Sequence, residues 1–321
     1  MRKRVMRRII PLLAVVTLAS LVAGVDRAAP ANRTIDLCAT TGSVTMPDNV
    51  SVTIWGFVAR GAAPDCGDVA GTATLPGPVL RVDEGDSVTL NVTNALPPGH
   101  TLSLDAPGID FAPGPTDAAR GDTVSRTFTA SAPGSYLYES SGDGERQTAM
   151  GLYGALIVGS GTPGQAYDGA GAYDVEAPLV LSAIDPGFND AADPGGYDMT
   201  AYHATYWLIN GRAYPDTDPI HAAPGQKVLL RYLNAGFDNT TMALLGMDEQ
   251  VIARDAHALG DPFAAHAETI PAGATEDAVA TVPDGSSGYT HGFPLYNRQL
   301  HLGNGVPGTA AGGMMTFIQA P

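Results

Sequence analysis

Six residues of this chain recur at one fixed offset: Leu80, Gly85, Val88, Leu90, Asn94 and Ala95 return as Ile220, Gly225, Val228, Leu230, Asn234 and Ala235, each 140 positions later. The surrounding text is PGPVLRVDEGDSVTLNVTNAL from Pro76 and DTDPIHAAPGQKVLLRYLNAG from Asp216. Both are a turn followed by a Val/Leu run. Such a run reads as a strand, and self-similarity at a fixed step reads as a duplicated unit. The chain is therefore expected to hold two copies of one β-domain, with Leu80 superposing on Ile220 and Asn94 on Asn234.

The rest of the text has the same texture. SVTIWGFV, TVSRTFTA, GSYLYES and GLYGALIVG in the first half, and APLVLSAI, YWLINGRAYP, TMALLGMDEQVIARD and GGMMTFIQA in the second, are short runs between Gly, Pro and Asp turns. Val, Thr, Ile and Tyr dominate them, and no long stretch of 3.6-residue period intervenes. The fold class expected is all-β, two tandem antiparallel sandwiches. The first domain is placed at 32–160, a Gly-rich linker at 161–174 and the second domain at 175–321. A polar insertion at 189–202 reads as a surface loop.

Residues 1–31 belong to neither domain. A basic start (MRKRVMRR), an apolar run and a small-residue stretch (RAAPA) form an export signal, with an uncleaved membrane anchor as the alternative. The protein is thus expected to be secreted, periplasmic or on the cell surface. Without that segment, 11 basic residues face 32 acidic ones, a net −21. Such a charge repels phosphate backbones, which excludes nucleic acid as a partner, and it leaves membrane contact only to the N-terminal segment. In an exported chain the two cysteines, Cys38 and Cys66, read as a disulfide closing a short loop, the alternative being a metal thiolate.

PGPVLRVDEGDSVTLNVTN, GSYLYES with MGLYGALIVG, and YWLINGRAYP with KVLLRYLNAG and the closing GGMMTFI resemble the multicopper oxidase family. The resemblance spans most of 52–318 and implies two cupredoxin-like Greek-key sandwiches. It resembles the two-domain branch, which implies a homotrimer. It also implies copper held by closely spaced imidazoles and a cysteine thiolate, because several donors must converge on each ion. The sequence departs from that pattern. Asp105 and Pro107 stand where a His-x-His segment is implied, and Glu139, Ser140 and Ser141 where a His-Cys-His run is implied. Thr241 and Met247 occupy further ligand positions in the second half.

The seven histidines lie apart in the text, no two of them two residues apart. A mononuclear site of His301 with Met314, helped by His291, is one reading; single hydrogen-bonded histidines and a core methionine are the other. Asp105 and Glu139 could meet as a carboxylate pair, to hold a hard cation or to hydrogen-bond nearby hydroxyls. Ser140 and Ser141 lie beside acids, with no G-x-S-x-G turn around them.

The expectation formed here is a copper-free, secreted relative of this family that binds an envelope protein or a small ligand, with no catalytic residues and no cofactor. The alternatives are a copper-dependent oxidoreductase with a rearranged ligand set, or a structural shell whose product is the oligomer.

Overall fold

The structure, a computed structural model, describes residues 29–114, 116–283, 292–299, 301 and 313–320. Most of the segment read as an export signal, residues 1–28, lies outside the described residues. In the first half the strands are β1 (Asn32–Thr45), β2 (Ser51–Ala59), β3 (Leu80–Asp83), β4 (Ser87–Asn94), β5 (Thr123–Thr129), β6 (Gly134–Glu139) and β7 (Tyr153–Gly159). They form a sheet of order β2-β1-β4-β5 facing a sheet of order β3-β7-β6. The alternation of β4, in which Val88, Leu90 and Val92 are buried and the intervening Thr89, Asn91 and Thr93 half-buried, supplies one inner face of this sandwich.

In the second half the strands are β10 (Val175–Ile184), β11 (Tyr206–Ile209), β12 (Ile220–His221), β13 (Lys227–Asn234), β14 (Thr240–Leu244), β15 (Glu249–Arg254), β16 (His257–Ala265), β17 (Ala267–Ile270), β18 (Thr275–Thr281), β19 (Phe293–Asn297) and β20 (Met315–Gln319). Their sheet orders are β11-β10-β13-β18-β15-β16 and β12-β20-β19-β14-β17.

The repeat superposes as the spacing requires. Strand β4 lies between a parallel neighbour, with Val88 opposite Arg33, and an antiparallel one, with Val88 opposite Phe128. Strand β13 lies between parallel β10, with Val228 opposite Val175, and antiparallel β18, with Val228 opposite Ala280. Leu80 pairs in parallel with Leu156, and Ile220 in parallel with Ile318. The turn glycines match too: Gly85 (φ 93°) donates to the Ala130 carbonyl and Gly225 (φ 82°) to that of Val282, a left-handed backbone that favours glycine.

Asn94 and Asn234 do the same work. Each side-chain amide donates to two carbonyls, those of His100 and Ala118 in one copy and of Asp238 and Ile270 in the other. Each side-chain oxygen accepts the N–H two residues on, from Leu96 and from Gly236.

Cys38 on β1 and Cys66 are bonded, with α-carbons 5.7 Å apart. Two expectations change. The Gly-rich linker contains a small hairpin, β8 (Gln165–Tyr167) with β9 (Ala170–Ala172), whose Tyr167 hydroxyl donates to Asp277 Oδ2 of β18 at 2.6 Å. The insertion is a docked strap as well as a surface loop. It follows helix α2 (Pro186–Asn189), whose Phe188 is fully buried against the Tyr197 and Tyr202 rings. Asn189 Nδ2 donates to the Thr53 carbonyl, Asp190 Oδ1 accepts from the Thr53 N–H, and Arg146 donates twice to the Tyr197 carbonyl. An aromatic that can leave water and polar groups that can pair across the seam outweigh the loop-like composition.

The domains share a core. Val52, Ile54, Leu137 and Ile157 of the first half pack with Val180, Ile184, Leu208 and Leu233 of the second. Strand β13 is buried on both faces from Val228 to Asn234, with Leu233 in this shared core and Leu229 packed with Ala166 and Tyr167 of the linker hairpin.

Candidate functional site

The positions singled out in the first domain gather at one end of its sandwich. Glu139 ends β6, and its backbone exchanges two hydrogen bonds with Asp105, 2.8 and 2.9 Å, which sets the two carboxylates side by side. Asp105 Oδ1 accepts the Ala106 N–H at 2.8 Å. Burial first, then repulsion from Glu145 and Asp105, pushes the Glu139 pKa up to about 7, against a hydrogen bond from Thr148 that works the other way. Pro107, with no side-chain donor, lines a cavity of about 390 Å³ that faces Asp255, His257 and Thr275 of the second domain.

Ser140 and Ser141 are held in a polar box. The short helix α1 (Arg146–Met150) carries Gln147, which is fully buried. Ser140 Oγ donates to Gln147 Oε1 at 2.7 Å and accepts from the Ser103 N–H at 3.2 Å, while Thr148 Oγ1 donates to the Ser140 carbonyl at 2.8 Å. Gln147 Nε2 donates to the Thr101 carbonyl and to Asp143 Oδ2. Ser141 and Ser103 share a hydroxyl–hydroxyl bond of 3.0 Å. Ser140 is fully buried and its polar groups are paired, so it is a structural member of the box and offers no exposed nucleophile.

Two members of this region have no signal in local sequence. His100 Nδ1 lies 2.8 Å from Asp143 Oδ2, and its ring tilts against Trp55 with centroids 4.5 Å apart. These residues are 43 positions apart. The one available hint is the polar run SSGDGERQ between two strands, which has to fold back on something.

The second domain's candidates do not converge. Thr241 is engaged with Thr269 through their hydroxyls, 2.8 Å apart, and its N–H donates to Gln299 Oε1. Met247 lies in the core of its sandwich. Met314 is buried there as well, and its sulfur accepts from Asn297 Nδ2 at 3.7 Å. The Met314 N–H reaches the His301 carbonyl at 3.2 Å, yet the His301 ring stacks on Trp207, with centroids 4.3 Å apart and planes at 13°. Burial holds the His301 pKa below its ordinary value, against the nearby Asp238 charge. His291 lies outside the described residues.

Among the described residues no group of three or more His, Cys, Asp or Glu side chains is placed to hold a metal ion, and both cysteines are in the disulfide. The donors at the first domain's end are carboxylates, hydroxyls, the Gln147 amide and one imidazole, that of His100, whose Nδ1 is engaged with Asp143; no thiolate is among them. They do not fit the imidazole and thiolate demand of a copper centre. No described helix is long and apolar enough to cross a membrane.

Comparison with known proteins places these residues. A family model described as multicopper oxidase matches residues 63–162. An L-ascorbate oxidase of Cucurbita pepo var. melopepo is 33% identical over 132 residues, 37% of this chain and 23% of that protein. Copper resistance protein A of Escherichia coli is 36% identical over 118 residues, 34% of this chain and 18% of the relative. The chain thus covers a quarter or less of the length of these two relatives. Among solved structures, the blue copper oxidase from Nitrosomonas europaea superposes with a TM-score of 0.75 at 22% identity, over 90% of this chain and 86% of that one.

These matches correct the expectation that the chain takes no cofactor, because copper is the metal of its relatives. The chain is thus similar in sequence to multicopper oxidases over residues 63–162, and over most of its length it has the cupredoxin fold of the blue copper oxidase.

Proposed function

We propose that this multicopper oxidase relative works outside the cytoplasm as a binding or scaffolding protein of the cell envelope, with the loop end of its first domain serving as a joint in place of a reaction centre. The polar box carries the reading. Ser140, Gln147, Thr148, Ser103 and Asp143 satisfy one another there, and the domain 2 strap closes over α1 through the Arg146 bonds to the Tyr197 carbonyl. A reaction centre needs donors aimed at a substrate; here they are aimed inward. The basic-then-apolar start and the disulfide support an exterior location. The acidic surface supports an envelope protein or a small ligand as partner in preference to nucleic acid. Copper bound elsewhere on the chain is compatible with this reading.

The test is oxygen uptake with ascorbate and with a phenol after loading the purified protein with Cu(II) and dialysing. The expected result is no turnover, whatever copper is retained. Uptake that scales with bound copper would overturn the reading in favour of an oxidoreductase with a rearranged ligand set.

A further inference from the structure

Only 11 basic residues follow residue 31, and three of them, Arg33, Arg81 and Arg231, line one pocket of about 310 Å³ at the seam between the domains. Arg33 comes from β1 and Arg81 from β3; Arg231 comes from β13, with Glu176 on β10 and Tyr173 just before it. Asp83 and Glu176 line the same pocket, so guanidinium and carboxylate groups meet there.

The three arginines are not equally committed. Arg231 is buried and neutralised, its Nε donating to Glu176 Oε1 at 2.6 Å and its Nη1 to Asp277 Oδ2 at 2.7 Å. Arg81 Nη1 donates to the same Glu176, so one carboxylate serves two guanidinium groups. Arg33 is held by Asp86, buried behind it, through Nε at 2.9 Å, and by Asp83 through Nη2 at 3.4 Å. Nη1 of Arg33 and both Nε and Nη2 of Arg81 make no bond to a carboxylate among the described residues. These side chains are 45% and 53% exposed, and both residues line the pocket.

We propose that this pocket binds a small oxyanion, a carboxylate or phosphate group, held by the open edges of Arg33 and Arg81. Guanidinium edges present paired N–H donors whose spacing matches two oxygens of such a group. Arg231, Glu176 and Asp277 act as the fixed floor that holds the site open. The inference is independent of the scaffolding reading and stands if that reading fails.

The experiment is a calorimetric titration of the full chain with inorganic phosphate and, separately, with succinate, at constant ionic strength set with chloride. One saturable site per chain is expected for at least one probe, with a rise in Tm; which probe binds tells a phosphate ligand from a carboxylate. Arg81→Gln should weaken binding about tenfold or more. Arg60→Gln, whose pair with Asp36 is not part of the pocket wall, should leave it unchanged. If R81Q does not fold, Arg81→Lys replaces it and should bind more weakly than wild type, having kept the charge and lost the fork. Absence of saturable binding by both probes, or equal affinity in wild type and the Arg81 variant, would overturn the proposal.

Discussion

Glu249 offers the sharpest test of the energetics. It lies on β15 inside the second sandwich, 2% exposed, with Oε2 accepting from the Tyr232 hydroxyl at 3.1 Å and Oε1 without a partner. Burial pushes its pKa from 4.5 up to about 8; the Tyr232 hydrogen bond works against the rise, and the Glu276 and Glu268 charges add to it. A folded-state pKa above the unfolded one means that the native state holds its proton longer. The associated stability is therefore full below about pH 4.5 and is lost as pH rises towards about 8. At about pH 7 the loss is about 3.5 kcal/mol, from about 2.5 pH units at about 1.4 kcal/mol each.

Glu249→Gln keeps an acceptor for Tyr232 and removes the titration. Its buried amide N–H groups cost about 1–3 kcal/mol at every pH, so the diagnostic is the slope of stability against pH and not its height. Urea denaturation at a series of pH values should show the wild type losing stability between about pH 5 and 8, with the variant losing less by up to about 1.4 kcal/mol per pH unit. Glu276, raised to about 7 by burial with Arg254 opposing, leaves a residual slope of the same sign in both proteins. Parallel curves for wild type and variant would refute the reasoning.

Two further outcomes follow from the fold. Opening the disulfide by Cys66→Ala should lower stability by about 3.5 kcal/mol on the chain-entropy estimate for a separation of 28 residues, read as a drop in Tm; an unchanged Tm would show that the crosslink constrains little. Asn94→Ala and Asn234→Ala each remove two donated bonds and one accepted bond from a buried position, and each should cost about 2 kcal/mol by urea denaturation. A large cost at one and none at the other would break the equivalence of the two copies.

Much of the architecture was legible because strand period and turn chemistry are local. The shared spacing of Gly85 to Asn94 and Gly225 to Asn234 placed two turns and two strands correctly. Even the coverage of β13 is written in it: KVLLRYLN lacks the alternation of SVTLNVTN, as expected of a strand buried on both faces. The meeting of Asp105 with Glu139 was suggested only through the family resemblance, which puts both at implied ligand positions.

What was hidden depends on partners distant in sequence. Gln147 in GDGERQ and Glu249 in DEQVIARD have the composition of exposed turns and strand edges, and tertiary packing alone buries them. The hairpin at Gln165–Ala172 and the docked strap after Phe188 were masked by Gly, Asp and Pro, residues that mark loops whether or not the loop finds a surface to lie on.

The doubly buried β13 also changes what the duplication means. Two copies of one unit suggest two modules that could be cut apart, yet Leu233 and Val180 of the second copy complete a core begun by Ile54 and Ile157 of the first. Separated halves would each expose an apolar face of the kind that drives aggregation. A repeat in the gene has become a single cooperative unit in folding, so heating should unfold both halves in one transition.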